Sequence, residues 1–123
     1  MGLPKAYRLR NRQDYRAVYK QGIRRYSPHL TLIALVTPKQ LGAVSTTVTM
    51  FGISISKKVS KKAVVRNRIK RQIKGVIRSQ IKAITPGWKV VIVVKPKAIE
   101  CKYEHFLREL EELLKQAKII NGH

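Results

Sequence analysis

The sequence is poor in acidic residues, and the few that it has are confined to one segment. Only six Asp or Glu occur among 123 residues, and five of them lie within residues 100–112. A protein nuclease that uses two metal ions needs several clustered carboxylates, and the remaining acid, Asp14, is far from the others in sequence. The three histidines have no metal-ligand spacing, and there is no glycine-rich phosphate loop. We therefore expect the polypeptide to supply no catalytic residues and to bind no metal ion by itself.

Cysteine and long apolar runs are also scarce. A single cysteine, Cys101, excludes an internal disulfide and is typical of a reducing cytosol. No apolar run approaches the roughly 18 residues of a membrane-spanning helix, and the first residues lack the apolar stretch of a secretory signal. The sequence thus predicts a cytoplasmic protein with no membrane association and no evident obligate protein partner.

Positive charge dominates most of the chain. The formal net charge is +21, and only four of the 27 Lys and Arg residues lie from residue 100 onward. The length and a hydrophobic content of 44% fit one domain over residues 1–123, loosely ordered over residues 1–10. A compact domain with this charge repels itself unless a polyanion neutralises it. Nucleic acid is the polyanion that such a charge favours.

One stretch, residues 57–82, combines cations with β-branched residues at helical spacing. At about 100° per residue, the apolar and the polar side chains fall on opposite arcs of a helix. The apolar arc contains Val65, Ile69, Ile73, Val76, Ile77 and Ile84, and the polar arc contains Asn67, Arg68, Lys70, Arg71, Lys74, Arg78 and Lys82, with Arg66 at the boundary. No Asp or Glu lies in this stretch to pair with the cations. We predict a helix that begins near Ser60, packs one side on a sheet and offers the other to a polyanion.

A shorter helix is predicted near the start of the chain. Asn11 is a suitable cap for its first turn, and Gly22 is a suitable residue for its end. Tyr15 and Tyr19 lie four residues apart and so share a face of this helix. Such a pair either packs on the core or forms a platform on which unpaired bases stack, and the sequence leaves both interpretations open.

The remaining elements predict a mixed sheet with a final helix. Strands are expected at residues 29–37, 47–56 and 88–95, with a basic bend at residues 24–26, a loop at residues 38–46 and a helix at residues 104–120. The continuous valines of the last strand are typical of a buried central position. In the strand before the basic helix, Gly52, Ser54 and Ser56 form a small face with room for a bound chain. The order of elements predicts a two-layer α+β domain.

Two segments in a fixed order carry a family resemblance. A strand that ends in Ser54-Ile55-Ser56-Lys57-Lys58 precedes Ala63-Val64-Val65-Arg66-Asn67-Arg68-Ile69-Lys70-Arg71. With the tyrosine pair of the first helix and the final helix, the match covers nearly the whole chain. The sequence resembles the protein subunit of bacterial ribonuclease P. It departs from that family at Ser60-Lys61-Lys62, where the turn before the helix is one residue longer.

The resemblance implies a fold and a function. It implies a ribonuclease P protein-like, two-layer αβββαβα sandwich with a left-handed βαβ crossover, an exception to the usual hand, related to the domain-2-like fold of a ribosomal small-subunit protein. It also implies a protein cofactor of an endoribonuclease in which the catalytic RNA removes the 5′ leader of precursor tRNA. The expected partners are that RNA and precursor tRNA, and Mg²⁺ is expected only in the holoenzyme that contains the RNA.

The resemblance also assigns roles to residues. The basic motif that contacts the catalytic RNA would comprise Lys57, Lys58, Lys62, Arg66, Asn67, Arg68, Lys70, Arg71 and Lys74. The leader-binding cleft, between the first helix and the sheet, would comprise Tyr15, Tyr19, Arg12, Arg16, Ser54 and Ser56. Ile33 stands where some relatives have an aromatic residue. The chemistry agrees with these roles, because arginine binds phosphate with two parallel hydrogen bonds.

Two other functions fit the charge. A structural ribosomal or RNA-chaperone protein would be equally basic but would have no part in processing. A DNA-binding helix is the weaker alternative, because nothing in the sequence marks a helix-turn-helix or a dimer contact.

Overall fold

The computed structural model describes residues 7–36, 48–100 and 102–120, which form three helices and four strands. The helices are α1 (Arg12–Gln21), α2 (Ala63–Gln80) and α3 (Tyr103–Gln116), and the strands are β1 (Ile23–Tyr26), β2 (Leu30–Val36), β3 (Met50–Ser54) and β4 (Trp88–Val94). Short 3₁₀ turns follow α2 (Ile81–Ala83) and precede α3 (Pro96–Glu100). The predicted αβββαβα order is confirmed, while the predicted loop at residues 38–46 lies outside the described residues.

The four strands form one sheet in the order β1-β2-β4-β3. Both β1 and β4 pair antiparallel with β2, whereas β3 pairs parallel with β4. Parallel neighbours need a long crossover connection, and α2 supplies it between β3 and β4. In β4, Val90, Val91 and Ile92 are fully buried, which confirms the central position that its valines predicted.

Alternate residues of the strands contact helices on opposite faces of the sheet. Leu30 and Leu32 of β2 belong to the larger core, which α2 and α3 complete. Ile33 points the other way and packs with Leu9 and Val18 beneath α1. The mixed α+β class is therefore as predicted, and α1 adds a cover on the face of the sheet opposite α2 and α3.

The predicted apolar arc of α2 faces the core, except that Ile84 lies beyond the end of the helix and pairs with Ile120. The fully buried residues of this helix are Ile69, Ile73, Val76 and Ile77. The helix begins at Ala63 with Lys62 as the N-cap residue, so the predicted start near Ser60 is wrong. The Ser60 hydroxyl instead accepts a hydrogen bond from the Lys62 N–H at 3.2 Å and closes the turn before the helix.

Two other boundaries differ from the prediction. Residues 24–26 are part of strand β1 rather than a bend, because Arg24, Arg25 and Tyr26 pair with β2 in antiparallel register. This strand has only four residues and no buried one, so it lacks the apolar pattern by which strands are recognised. The final helix ends at Gln116 rather than at residue 120, and Lys118 follows it in the left-handed region with φ of 61°.

Glu109 of α3 fastens that helix to the turn between β1 and β2. Its carboxylate accepts hydrogen bonds from the Ser27 hydroxyl at 2.6 Å, from the His29 backbone N–H at 2.9 Å and from His29 Nδ1 at 2.6 Å. Burial raises the pKa of the Glu109 carboxyl, but the hydrogen bonds from Ser27 and His29 outweigh burial and hold the pKa below its ordinary value of 4.5. The charged carboxylate therefore stabilises the fold.

We expect Glu109→Gln to lower the free energy of unfolding at pH 7 by about 1–3 kcal/mol, because it weakens hydrogen bonds to a charged group. Since the folded pKa is lowered, this contribution is present above pH 4.5 and is lost as the pH falls through the folded value. Denaturant unfolding of both proteins between pH 7 and pH 3 should show the difference shrinking in acid.

The matched control for this prediction is Glu111→Gln. Glu111 pairs with Lys115 at 3.6 Å on the exposed side of the same helix, so its loss should cost less than about 0.5 kcal/mol. Equal costs for the two variants, or a Glu109→Gln cost that does not change with pH, would contradict the assigned role.

Candidate nucleic-acid interface

The cations of α2 form two rows on the polar side of the helix. The inner row is Arg66, Lys70 and Lys74, and the outer row is Arg68, Arg71 and Arg78. Lys70 and Lys74 line a pocket beside β3, whereas Arg68 Nη2 lies 3.5 Å from the carbonyl oxygen of Ile99 on the α3 side. Asn67 is exposed and lies between the rows. The helix therefore presents cations in two directions.

These cations have no acidic partners within the part of the chain that the structure describes. The ion pairs found there join Lys89 to Asp14 at 2.7 Å, His29 to Glu109, and Lys115 to Glu111, and none includes a lysine or arginine of α2. An exposed helix face normally alternates charges of opposite sign. The positive potential of this surface therefore stays available to an external anion.

The turn before α2 adds four lysines to this surface. Val59, only 5% exposed, anchors the turn in the core, and Arg66 Nη1 donates to the carbonyl oxygen of Ser60 at 2.8 Å. The exposed lysines of the turn are Lys57, Lys58, Lys61 and Lys62. Arg66 thus holds the turn against the helix and keeps further guanidinium donors for other partners.

The pocket lies where the N-terminal segment meets the outer edge of β3. The Leu9 N–H donates to the Phe51 carbonyl at 2.9 Å, and Leu9 is 3% exposed, so this segment is anchored on β3; the loose order expected of residues 1–10 stays a prediction. The pocket has a volume of about 150 Å³, and its lining residues are Arg8, Leu9, Arg10, Tyr15, Phe51, Gly52, Ile53, Lys70 and Lys74. We call it the β3-edge cleft. It contains four cations and no carboxylate.

Tyr15 belongs both to the core and to the β3-edge cleft. It packs against the apolar cluster beneath α1 and also lines the cleft. A Cβ atom at Gly52 would collide with the ring and the hydroxyl group of Tyr15, so the small residue on β3 makes room for this ring. Burial, and then the nearby Tyr19, raise the pKa of the Tyr15 hydroxyl and keep it neutral. The packing of Tyr15 on the core is therefore confirmed, while its role as a platform for an unpaired base stays a prediction.

The other residues expected in a leader cleft do not line the pocket. Tyr19 is 38% exposed on α1, Arg12 and Arg16 are exposed on the same helix, and Ser54 lies half-buried at the end of β3. Ser56 is exposed, and its hydroxyl accepts a hydrogen bond from the Lys58 N–H at 3.2 Å. At the position where some relatives have an aromatic residue, Ile33 is 1% exposed and cannot stack on a base.

Sequence reasoning missed Arg8 and Arg10 as cleft residues and placed Lys70 and Lys74 only in the motif that contacts the catalytic RNA. The pairing of residue 8 with Phe51 brings the N-terminal cations opposite α2. A contact between segments so far apart leaves no local pattern in the sequence.

Within residues 7–36, 48–100 and 102–120, no three His, Cys, Asp or Glu side chains lie together as a metal site would require. No helix in these ranges has both the length and the apolar character needed to cross a membrane.

Comparisons with known proteins point to one family. The model of the Ribonuclease P family matches residues 3–118. The ribonuclease P protein component of Microcystis aeruginosa is 57% identical over 125 residues, which cover all of both chains. That of Rippkaea orientalis is 55% identical over 124 residues, which cover all of this chain and 95% of the relative.

Solved structures show the same fold. The RNase P protein from Staphylococcus aureus is 27% identical and superposes with a TM-score of 0.79 over 95% of this chain and all of that one. The RNase P protein from Thermotoga maritima superposes with a TM-score of 0.74 over 89% and 96% of the two chains, at 22% identity.

Proposed function

The chain belongs to the ribonuclease P protein family, the protein component of an endoribonuclease complex that contains ribonuclease P RNA, and we propose that it binds both this RNA and the 5′ leader of precursor tRNA. In this proposal the RNA cuts the phosphodiester bond and the protein assists by holding the two RNA chains. The removal of the leader yields the mature 5′ end of the tRNA. We place this activity in the cytoplasm, which agrees with the single cysteine of the chain.

The observation that supports RNA binding most strongly is the two rows of cations on α2. Each phosphate that a lysine or arginine neutralises releases condensed counterions, which supplies most of the affinity of a basic surface for RNA. Ordinary intramolecular ion pairs would consume this potential, but none of the ion pairs among the described residues includes a cation of α2. The outer row, Asn67 and the lysines of the preceding turn form the surface for the catalytic RNA.

The β3-edge cleft supports binding of the leader. Its four cations suit the phosphates of an extended single strand, and Tyr15 offers an aromatic surface for a base. Lys70 and Lys74 of the inner row line this cleft, so in this proposal α2 contacts the catalytic RNA on one side and the leader on the other. The helix would thereby position the leader relative to the RNA that cuts it.

Magnesium belongs to the RNA in this proposal. Metal ions held by the RNA would supply the charge stabilisation and the activated nucleophile that cleavage of a phosphodiester bond needs. The contribution of this chain is electrostatic: it lowers the repulsion between two RNA chains that must lie side by side.

We expect Arg68→Ala and Arg71→Ala to weaken binding of ribonuclease P RNA and to flatten its dependence on salt. Each lost phosphate contact should reduce the slope of log affinity against log salt by about 0.7–0.9. Filter binding or fluorescence titration between 50 and 400 mM salt measures this slope. Lys115→Ala on α3, whose ammonium group already pairs with Glu111, is the control and should keep the parental slope. A parental slope in both arginine variants would argue against phosphate contact.

We expect Tyr15→Leu to reduce the preference of the holoenzyme for leader-bearing tRNA over mature tRNA. Leucine keeps apolar volume beneath α1 but removes the aromatic face, which is worth about 1–3 kcal/mol per stacked base. The measurement is the ratio of dissociation constants for the two tRNAs, and we expect it to fall about fivefold or more.

Tyr19→Leu is the matched control for Tyr15→Leu, because Tyr19 lies on the same helix outside the lining of the β3-edge cleft. It should change the ratio of dissociation constants less than twofold. If the two substitutions had equal effects, or if Tyr15→Leu had no effect in a folded protein, Tyr15 would not be a contact for the leader.

The alternative of a ribosomal or RNA-chaperone protein requires the same basic surface but not the cleft. It predicts no effect of this chain on precursor cleavage and no discrimination between leader-bearing and mature tRNA. The joint presence of an aromatic ring and four cations at one strand edge favours the processing role.

A further inference from the structure

A second group of exposed side chains borders α2 on the side away from the β3-edge cleft. Exposed apolar residues are unusual next to a dense row of cations, yet three large ones occur here. Val64 is 72% exposed, Ile99 is 41% exposed and Tyr103 is 38% exposed. They come from α2, from the 3₁₀ turn before α3 and from the first residue of α3.

Contacts join these side chains into one surface. Arg68 Nη2 lies 3.5 Å from the Ile99 carbonyl oxygen, at the limit of a hydrogen bond. A Cβ atom at Gly75 would lie 3.4 Å from Cε2 of Tyr103, so the tyrosine ring rests against α2 where the helix has no side chain. Val64, Arg68 and Gly75 recur at helical spacing and so share one side of α2. We call the surface formed by Val64, Arg68, Gly75, Ile99 and Tyr103 the α2–α3 seam.

The charge around the seam is mainly positive. Arg68 and Arg71 border it from α2, and Lys102 precedes Tyr103 as an exposed residue. Glu100 is exposed beside Ile99, while Glu104 lines a separate groove along α3 with Arg108 and Glu111. An aromatic ring flanked by arginines is the arrangement with which proteins hold an unpaired base and its neighbouring phosphates.

We propose that the α2–α3 seam is a further contact for ribonuclease P RNA, in which an unpaired base stacks on Tyr103 while the flanking phosphates pair with Arg68 and Arg71. This inference rests on the proposed function, because it extends the outer row of cations onto α3. RNA is favoured over a protein partner because the seam is continuous with the outer row and because positive charge surrounds its aromatic ring. Gly75 has a role in this site, because a Cβ atom there would already be in van der Waals contact with the ring.

The test compares three substitutions in the full chain by titration against ribonuclease P RNA. Tyr103→Leu removes the π-face and should weaken binding about fivefold to a hundredfold, with a parental salt slope because no phosphate contact is lost. Tyr103→Phe keeps the ring and should bind within about twofold of the parent. Tyr26→Leu is the control, because Tyr26 is a 64% exposed tyrosine on the distant edge strand β1, and it should not change affinity.

A crosslinking measurement keeps the test valid even if Tyr103→Leu lowers stability. A photoreactive benzoylphenylalanine at position 103 retains an aromatic ring and should crosslink to the RNA, as should the same residue at position 67 between the two rows.

The outcomes distinguish failure of the seam as an RNA contact from failure of the proposed function. Parental affinity of Tyr103→Leu together with weakened binding by Arg68→Ala overturns the seam and leaves RNA binding intact. Crosslinks at position 67 without any at position 103 overturn it as well, as does crosslinking of position 103 to a protein in place of RNA. Parental affinity in both Tyr103→Leu and Arg68→Ala, with no crosslink at either position, overturns the seam and the proposed function together.

Discussion

The structure depends on α2, which is apolar on one side and on the other side carries cations that have no acidic partners among the described residues. The buried side of α2 supplies Ile69, Ile73, Val76 and Ile77 to the core, and burying one such side chain is worth about 1.5–3 kcal/mol. Repulsion between two neighbouring cations in water at a spacing of about 6 Å costs less than about 1 kcal/mol. Burial therefore holds the helix in place, although its cations have no acidic partners among the described residues. Under the proposed function, binding of phosphates recovers the free energy of that repulsion.

Two of the few acidic residues stabilise the fold through contacts with elements other than α2. Glu109 holds the turn between β1 and β2 through three hydrogen bonds, and Asp14 pairs with Lys89 of the central strand β4. Neither pairs with a cation of α2. Because no ion pair among the described residues includes a cation of α2, these cations stay available to phosphates under the proposed function.

Local patterns in the sequence predicted the elements in which apolar residues recur at helical spacing or form a continuous run. The arc of α2 and the continuous valines of β4 show this clearly, and the order Lys57-Lys58 before Arg66-Asn67-Arg68 carried the family resemblance. The short strand β1 had no such pattern, since its pairing with β2 is decided by tertiary contacts. The β3-edge cleft was only half predicted, because Leu9 and Phe51 meet across more than forty residues. Tyr15 could not be assigned to core or cleft from its spacing, because the structure places it in both.

The central claim is that cations on α2 let this protein assist an RNA that does the cutting. The direct measurement is the rate at which the cognate ribonuclease P RNA cleaves leader-bearing precursor tRNA at low magnesium. It is made without protein, with the parent chain, and with a folded variant in which Arg68, Lys70, Arg71 and Lys74 are all replaced by glutamine. We expect the parent chain to increase the rate strongly and the variant to leave it unchanged. Equal rates with the parent and the variant, or no increase with either, would contradict it.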